Sequence, residues 1–385
     1  MTNVLIAFAD AGGGHRAAAH AIREAILESG SDLVVTLRDP WADRARWPFT
    51  TLRWVYPLVV QHAQWLWALG FALTNRPRIV HLLQRLSWPV QRKGFTALAE
   101  TTPDLIVCTH PLLTTPLRRV FPRTPIIVVV TDLVSGHVSW YDDAADLLVV
   151  PTAAARDAAV AAGIPAPRLH VLGLPVSPAF LAVPGDRAEL LVSLGWSLER
   201  PTILLAGGAE GIGNLEALTV AIDRAQLPCD VAVVAGRNSA LAQRLRTRRW
   251  QGIVHVYDFV SNFSECVRAA AALVTKAGPG TIAEACASGC PVILTSAIAG
   301  QEVGNVDFVT RGRAGVWAPT PLATTVVLHA WLVGRDAPAA LRRAATGALK
   351  LARPHAAADI ARLIRASLAS ASPTAEQAAQ ASAAA

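Results

Sequence analysis

The chain is short of cysteine and almost without lysine. Its five cysteines (Cys108, Cys229, Cys266, Cys286, Cys290) are scattered through apolar stretches of 385 residues, with no Cys-x-x-Cys pair. That spacing excludes a disulfide framework and suits reduced core thiols in a cytosolic protein. No Cys/His spacing matches a zinc ligand set, so no metal site is expected. No basic segment precedes the first apolar run, and Asp10 and three glycines follow it at once, which is not the pattern of a secretory leader. Lysine occurs only at Lys93, Lys276 and Lys350, so arginine carries nearly all the positive charge behind the formal net charge of +7. An excess of that sign favours phosphates, nucleic acid or an acidic membrane face. Nucleic acid fits poorly, because the basic residues are mixed with aliphatic runs and do not line a polar groove.

What is present is apolar: 52% of the residues, enough for a large core. The length predicts two domains. Short apolar runs at 4–9, 33–39, 101–110, 124–132 and 146–152 alternate with helical stretches, and the pattern restarts at 201 with runs at 230–236, 253–259, 271–276 and 290–296. Strands alternating with helices indicate α/β domains with parallel, doubly wound sheets. Each half opens on a glycine-rich strand-to-helix turn, "FADAGGGHRAAAHA" and "LLAGGAEGIGNLEA". The boundaries read as a first domain over 1–175, a second over 176–353, a helix over 354–369 that packs back across the halves, and a low-complexity tail over 370–385. The Pro/Gly-rich stretch 173–187 is the expected hinge.

One stretch breaks the alternation. Residues 41–99 hold six of the eleven tryptophans, eight basic residues and a single acid, Asp43. No formal charge occurs between Arg53 and Arg76. Three placements are open: a helix in the interfacial plane, helices packed on the protein's own core, or a membrane span. Pro57, Gln61, His62 and Gln64 interrupt the run and weigh against the span. Trp54 and Trp65 are the rings expected at lipid headgroup depth.

Several turns carry chemistry. "VTKAGPGTIAEACASG" sets Gly278, Pro279, Gly280 and Thr281 between a strand and a helix. Unpaired amides and the helix dipole make such a start a diphosphate site, and absent side chains let the anion approach. Glu284, one turn in, either complements the dipole or accepts the hydroxyls of a ribose. The spacing is not GxGxxG, so a nicotinamide or flavin fingerprint is not met. "AGQEVGN" offers Gln301, Glu302 and Asn305, groups that pair with several sugar hydroxyls at once.

These motifs, with "VYDFV", "VTDLVSGHVSWY" and "GLPVSPAF" in this order, resemble the monogalactosyldiacylglycerol synthases and related diacylglycerol glucosyltransferases of glycosyltransferase family 28. The resemblance runs over about residues 3–320 and implies the GT-B fold, two Rossmann-like domains facing across a cleft. It implies that Lys276, Gly278, Pro279, Gly280 and Thr281 hold the diphosphate and Glu284 the ribose. Gln301, Glu302 and Asn305 would hold the hexose, Phe259 and Val260 would meet the uracil, and Gly14, Gly207, Gly208 and Glu210 would line the cleft. His15 would be the base, because imidazole is the side chain whose pKa lies nearest the working pH; Arg16 beside it can contact phosphate. Asp132 would orient the base or sugar, His137 would meet the lipid, Trp140 would lie over a lipid or sugar face or be core, and His110 would line the cleft. No two aspartates lie two apart, so the Asp-x-Asp metal motif of another glycosyltransferase class is absent and catalysis without metal or cofactor is expected. The implied partners are a UDP-hexose, diacylglycerol and anionic lipids such as phosphatidylglycerol. The "GGAEGIG" loop tilts the donor towards UDP-galactose; UDP-glucose and another lipid acceptor are the alternatives. The expected location is peripheral, monotopic, on the cytoplasmic face of the cell membrane.

Overall fold

The computed structural model describes residues 2–10, 13–44, 47–51, 55, 58–60, 63–181 and 185–371. Two six-stranded sheets carry the fold. The first has the order β2-β1-β3-β4-β5-β6, from β1 (Thr2–Ala7), β2 (Leu33–Arg38), β3 (Leu105–Cys108), β4 (Ile126–Val129), β5 (Leu147–Val150) and β6 (Leu169–Val171). The second has the order β12-β11-β10-β7-β8-β9, from β7 (Thr202–Ala206), β8 (Asp230–Val234), β9 (Val254–Tyr257), β10 (Ala272–Lys276), β11 (Val292–Ser296) and β12 (Gly315–Trp317). Every pairing is parallel. The three-residue edge strands β6 and β12 were not legible, being too short to show a period.

Alternate residues of each strand enter different cores. Leu5 and Ala7 join one cluster while Val4 and Ile6 join another on the opposite face. Both faces are therefore buried, which is why the strands read as continuous apolar runs. The helix Ala356–Ala371 returns to the first domain. Its Ile360 and Ile364 share a cluster with Ile22 and Ile26, and Arg365 pairs with Asp32 at 2.8 Å.

The order of each sheet reverses beside its first strand, between β1 and β3 and between β7 and β10. Ligands of open parallel sheets bind at the carboxyl ends of the strands at such a switch. The turns after β1, β3 and β4 meet those after β7, β10 and β11 here. A Cβ built on Gly13 would stand 3.2 Å from that of Ala209, so the two lobes nearly touch.

Residues 64–97 form two helices, Gln64–Thr74 and Pro77–Ala97. Among the described residues no helix is long and apolar enough to cross a membrane. The tryptophans divide: Trp41 is core, its Nε1 donating to Gln91 at 3.0 Å, whereas Trp47 and Trp65 are 76% and 71% exposed. Trp54 lies outside the described residues.

Candidate active site

Between the lobes lies a cavity of about 620 Å³, with Gly14, His15 and Asp132 from the first domain and Lys276, Gly280 and Gln301 from the second on its wall. The two helices of the Trp-rich stretch close its side with Leu66, Phe71 and Leu83. A mostly apolar cleft with a few converging polar groups is the expected form of a small-molecule site.

His15 begins the second turn-residue of the helix Gly14–Glu28, and its ring is fixed from behind. Its Nδ1 lies 2.8 Å from the carbonyl oxygen of Thr109 and 3.0 Å from the hydroxyl of Thr131. A carbonyl only accepts, so Nδ1 carries the proton and Nε2 keeps its lone pair. Burial draws the imidazole down to about 4, against the opposing pull of the Thr109 carbonyl and Asp10, so it is neutral at physiological pH. His110 meets it edge-on with ring centroids 4.6 Å apart. Its Nδ1 accepts from the Leu112 amide at 3.3 Å, and burial holds it well below the usual imidazole range. Arg16 is engaged by Asp10 at 3.0 Å through one guanidinium nitrogen.

Asp132 ties the lobes together. One carboxylate oxygen accepts from Trp140 Nε1 at 2.7 Å, the other from Gln301 Nε2 at 3.1 Å. Burial raises it to about 6, with the two hydrogen bonds opposing the rise. Trp140 is 0% exposed, so its expected lipid contact is corrected: the ring is core and positions Asp132. His137 packs on Phe71 with centroids 4.9 Å apart, and its Nε2 lies 3.2 Å from the Thr74 hydroxyl.

In the second lobe, Gly278 caps the helix Pro279–Ala287 without a side-chain bond. Pro279 has no N–H, and the first intrahelical donor is the Ile282 amide to the Gly278 carbonyl at 3.0 Å. The Gly280 and Thr281 amides are therefore free for an anion. A Cβ on Gly280 would meet nothing within 4 Å, whereas one on Gly278 would stand 2.9 Å from Lys276 Nζ. Lys276 forms an ion pair with Glu302, whose other oxygen accepts from the Ile298 amide at 3.0 Å. Glu284 has no side-chain hydrogen-bond partner among the described residues, and burial raises it to about 7.

The sugar loop is less free than its sequence suggests. Glu302 is 2% exposed and fully engaged, and Asn305 donates to the Ala277 carbonyl at 2.8 Å. Gln301 and Glu302 both stand on the cavity wall, and Asn305 Oδ1 has no partner among the described residues. Glu210 is paired with Arg237, whose guanidinium lies 5.5 Å from the Phe259 ring centroid. Gly207 is compulsory, because a Cβ there would strike the Ile212 carbonyl oxygen at 2.1 Å, while Gly208 has φ +74°. Val260 is half-buried against the second core. Thr109, Thr131 and Arg237 were missed. All three follow strand ends, within three residues of the last residue of β3, β4 and β8, and that position was the available signal.

Comparisons with known proteins agree with this arrangement. Residues 15–176 match the monogalactosyldiacylglycerol (MGDG) synthase family model, and residues 202–305 match the glycosyltransferase family 28 C-terminal domain. The probable monogalactosyldiacylglycerol synthase 2 of Oryza sativa subsp. indica is 34% identical over 374 residues, 93% of this chain and 79% of the relative. Monogalactosyldiacylglycerol synthase 1 of Arabidopsis thaliana is 35% identical over 369 residues, 92% of this chain and 68% of the relative. The crystal structure of Acinetobacter baumannii MurG superposes with a TM-score of 0.57 at 14% identity, covering 95% of this chain and 99% of that one, and so shares the fold. Both plant relatives are named chloroplastic, which overturns the expected location on the cytoplasmic face of the cell membrane. With a GT-B architecture and a third of its residues shared over nearly its whole length, the chain belongs to the monogalactosyldiacylglycerol synthase family.

Proposed function

We infer that the cleft transfers a galactosyl group from a UDP-sugar to the free hydroxyl of diacylglycerol. The observation that carries the mechanism is the fixed tautomer of His15: the Thr109 carbonyl holds the Nδ1 proton, which leaves Nε2 as a base. Nε2 takes the hydroxyl proton as the lipid oxygen attacks the anomeric carbon. The bond from that carbon to the diphosphate breaks, and UDP leaves with its electron pair. A single displacement inverts the centre, so the product is a β-glycoside. Developing charge on the diphosphate falls on the Gly280 and Thr281 amides and the positive end of their helix. No step passes through a metal, and chelation with EDTA leaves the rate unchanged.

The Glu284 carboxylate accepts from the ribose hydroxyls, Phe259 and Val260 present backbone to the uracil, and Gln301 meets the hexose while holding Asp132. UDP-galactose is the preferred donor. Incubation of diacylglycerol with UDP-galactose and with UDP-glucose in parallel, followed by product analysis, tests this; equal or greater transfer of glucose overturns the donor assignment.

The enzyme works at a membrane surface. Leu69, Leu73, Leu82 and Leu86 are exposed on the two helices that wall the cavity, beside exposed Trp65 and the basic Arg76, Arg78 and Arg85. Apolar side chains rimmed by arginine suit insertion at headgroup depth, with each basic residue adding about 1 kcal/mol near an anionic surface. Activity on mixed vesicles rises with phosphatidylglycerol and falls with salt. Rates indifferent to both remove the anionic lipid from this account.

A further inference from the structure

Among the described residues on the cavity wall, Gln84 has neither end of its carboxamide hydrogen-bonded, whereas Gln301 leaves only its oxygen unpaired. The inner face of the helix Pro77–Ala97 places Gln84, Ser87 and Gln91 on the cavity wall. Gln91 is engaged at both ends: its oxygen accepts from Trp41 and its nitrogen donates to Ser87 Oγ at 3.0 Å. Ser87 donates in turn to the Gln84 backbone carbonyl at 3.3 Å. Gln84 itself is 5% exposed, and neither its amide nitrogen nor its amide oxygen has a partner among the described residues. A buried carboxamide left unpaired is destabilising, so a residue that serves only packing would be apolar here.

We propose that Gln84 is a specificity-determining residue that donates from Nε2 to an ester carbonyl of the acceptor lipid. This rests on the reading of diacylglycerol as acceptor and goes beyond it, because it says which part of that lipid is recognised besides the reacting hydroxyl. The chemistry selects the ester. Beyond its hydroxyl, diacylglycerol has no polar groups except two esters, whose carbonyl oxygens accept and cannot donate. Carrying them into an apolar cavity without a donor costs free energy of the same order as the unpaired amide. One bond from Nε2 gives an ester carbonyl its donor and the amide nitrogen its acceptor, which lowers both penalties. The carboxamide supplies two N–H donors from a rigid helix, and the same cavity holds His15, so one lipid can meet both residues at once.

The experiment compares two acceptors of equal chain length with the full chain in neutral vesicles: 1,2-diacylglycerol and its 1,2-dialkyl ether, which keeps the hydroxyl and lacks both carbonyls. Wild-type kcat/KM favours the diester by about 10-fold, the size expected when one hydrogen-bonding partner is deleted from a site built for it. In Gln84→Met, similar in length but without donors, kcat/KM for the diester falls about 10-fold, that for the diether does not fall, and UDP affinity is unchanged. A structural role would lower both acceptors together. A wild-type preference near unity overturns the proposal without any variant, and so does a variant that retains the diester preference, which is the result expected if only water meets Gln84. Transfer by the wild type to neither glycerolipid defeats the acceptor reading itself, a result distinct from either of those.

Discussion

The turn that carries His15 and the turn that carries Glu284 stand at equivalent switch points of two parallel sheets, yet they hold their charges differently. Burial favours the neutral form at both. It draws the imidazole down to about 4 and pushes the carboxyl up to about 7. His15 is nevertheless anchored by its own domain, through the Thr109 carbonyl and the Thr131 hydroxyl. Glu284 has no such anchor. The base is complete before any ligand arrives, whereas the acid waits for hydroxyl donors that the donor substrate brings. Preorganisation is therefore confined to the side where chemistry occurs, and binding energy is gained on the other.

Removing His15 is the largest expected break in that contrast. His15→Ala lowers turnover by about 10²–10⁴-fold, the usual weight of a general base, and leaves UDP affinity intact. A turnover near wild type removes His15 as the base. Next in size is Glu284→Gln. It keeps the shape and gives up charged acceptors, so UDP-galactose binds about 10-fold more weakly at pH 8, as calorimetry would show. Wild-type affinity falls as pH drops through about 7, because protonation removes the acceptor, and the variant's affinity stays flat. Identical profiles for the two proteins would discard the ribose contact.

Much of this site was legible because its residues sit where strands end in glycine turns. His15, Gly280, Glu284 and Gln301 were each placed by a motif, and the parallel sheets by runs buried on both faces. What escaped was whatever depends on a partner distant in sequence. Asn305, expected to meet the sugar, spends its amide nitrogen on the Ala277 carbonyl. Trp140 looks like a lipid contact until Asp132 takes its N–H. Gln84 lies in a stretch whose composition reads as membrane surface, and only the packing of its helix reveals a buried polar stripe.

Asp132 sharpens the comparison through pH. With its imidazole drawn down to about 4, His15 cannot set the acid limb of turnover in the neutral range when saturating UDP-galactose keeps the Glu284 contact made. Asp132, raised to about 6, can. Its carboxylate accepts from Trp140 and from Gln301 across the cleft, and protonation below about 6 weakens that bridge. Activity therefore declines as pH falls through about 6 in the wild type, and in Asp132→Asn the limb moves towards 4 at a somewhat lower plateau. A limb that stays at 6 in the variant would return the titration to His15.

The smallest effect is on stability, and its sign follows from the same burial. Glu284 holds its proton more tightly when folded than when unfolded, so its protonated form is the one that suits the native state. Relative to a side chain that does not titrate, it costs nothing below the unfolded value near pH 4.5 and progressively destabilises as pH rises through about 7. Glu284→Gln should consequently melt a few degrees above wild type at pH 8, with the gap closing towards pH 5. A variant that melts below wild type at pH 8 would mean the carboxylate already has a partner in the empty cleft, and the contrast between an anchored base and a waiting acid would be lost. Saturating UDP-galactose supplies the missing donors and so narrows the gap at pH 8, which ties the stability cost directly to the binding role.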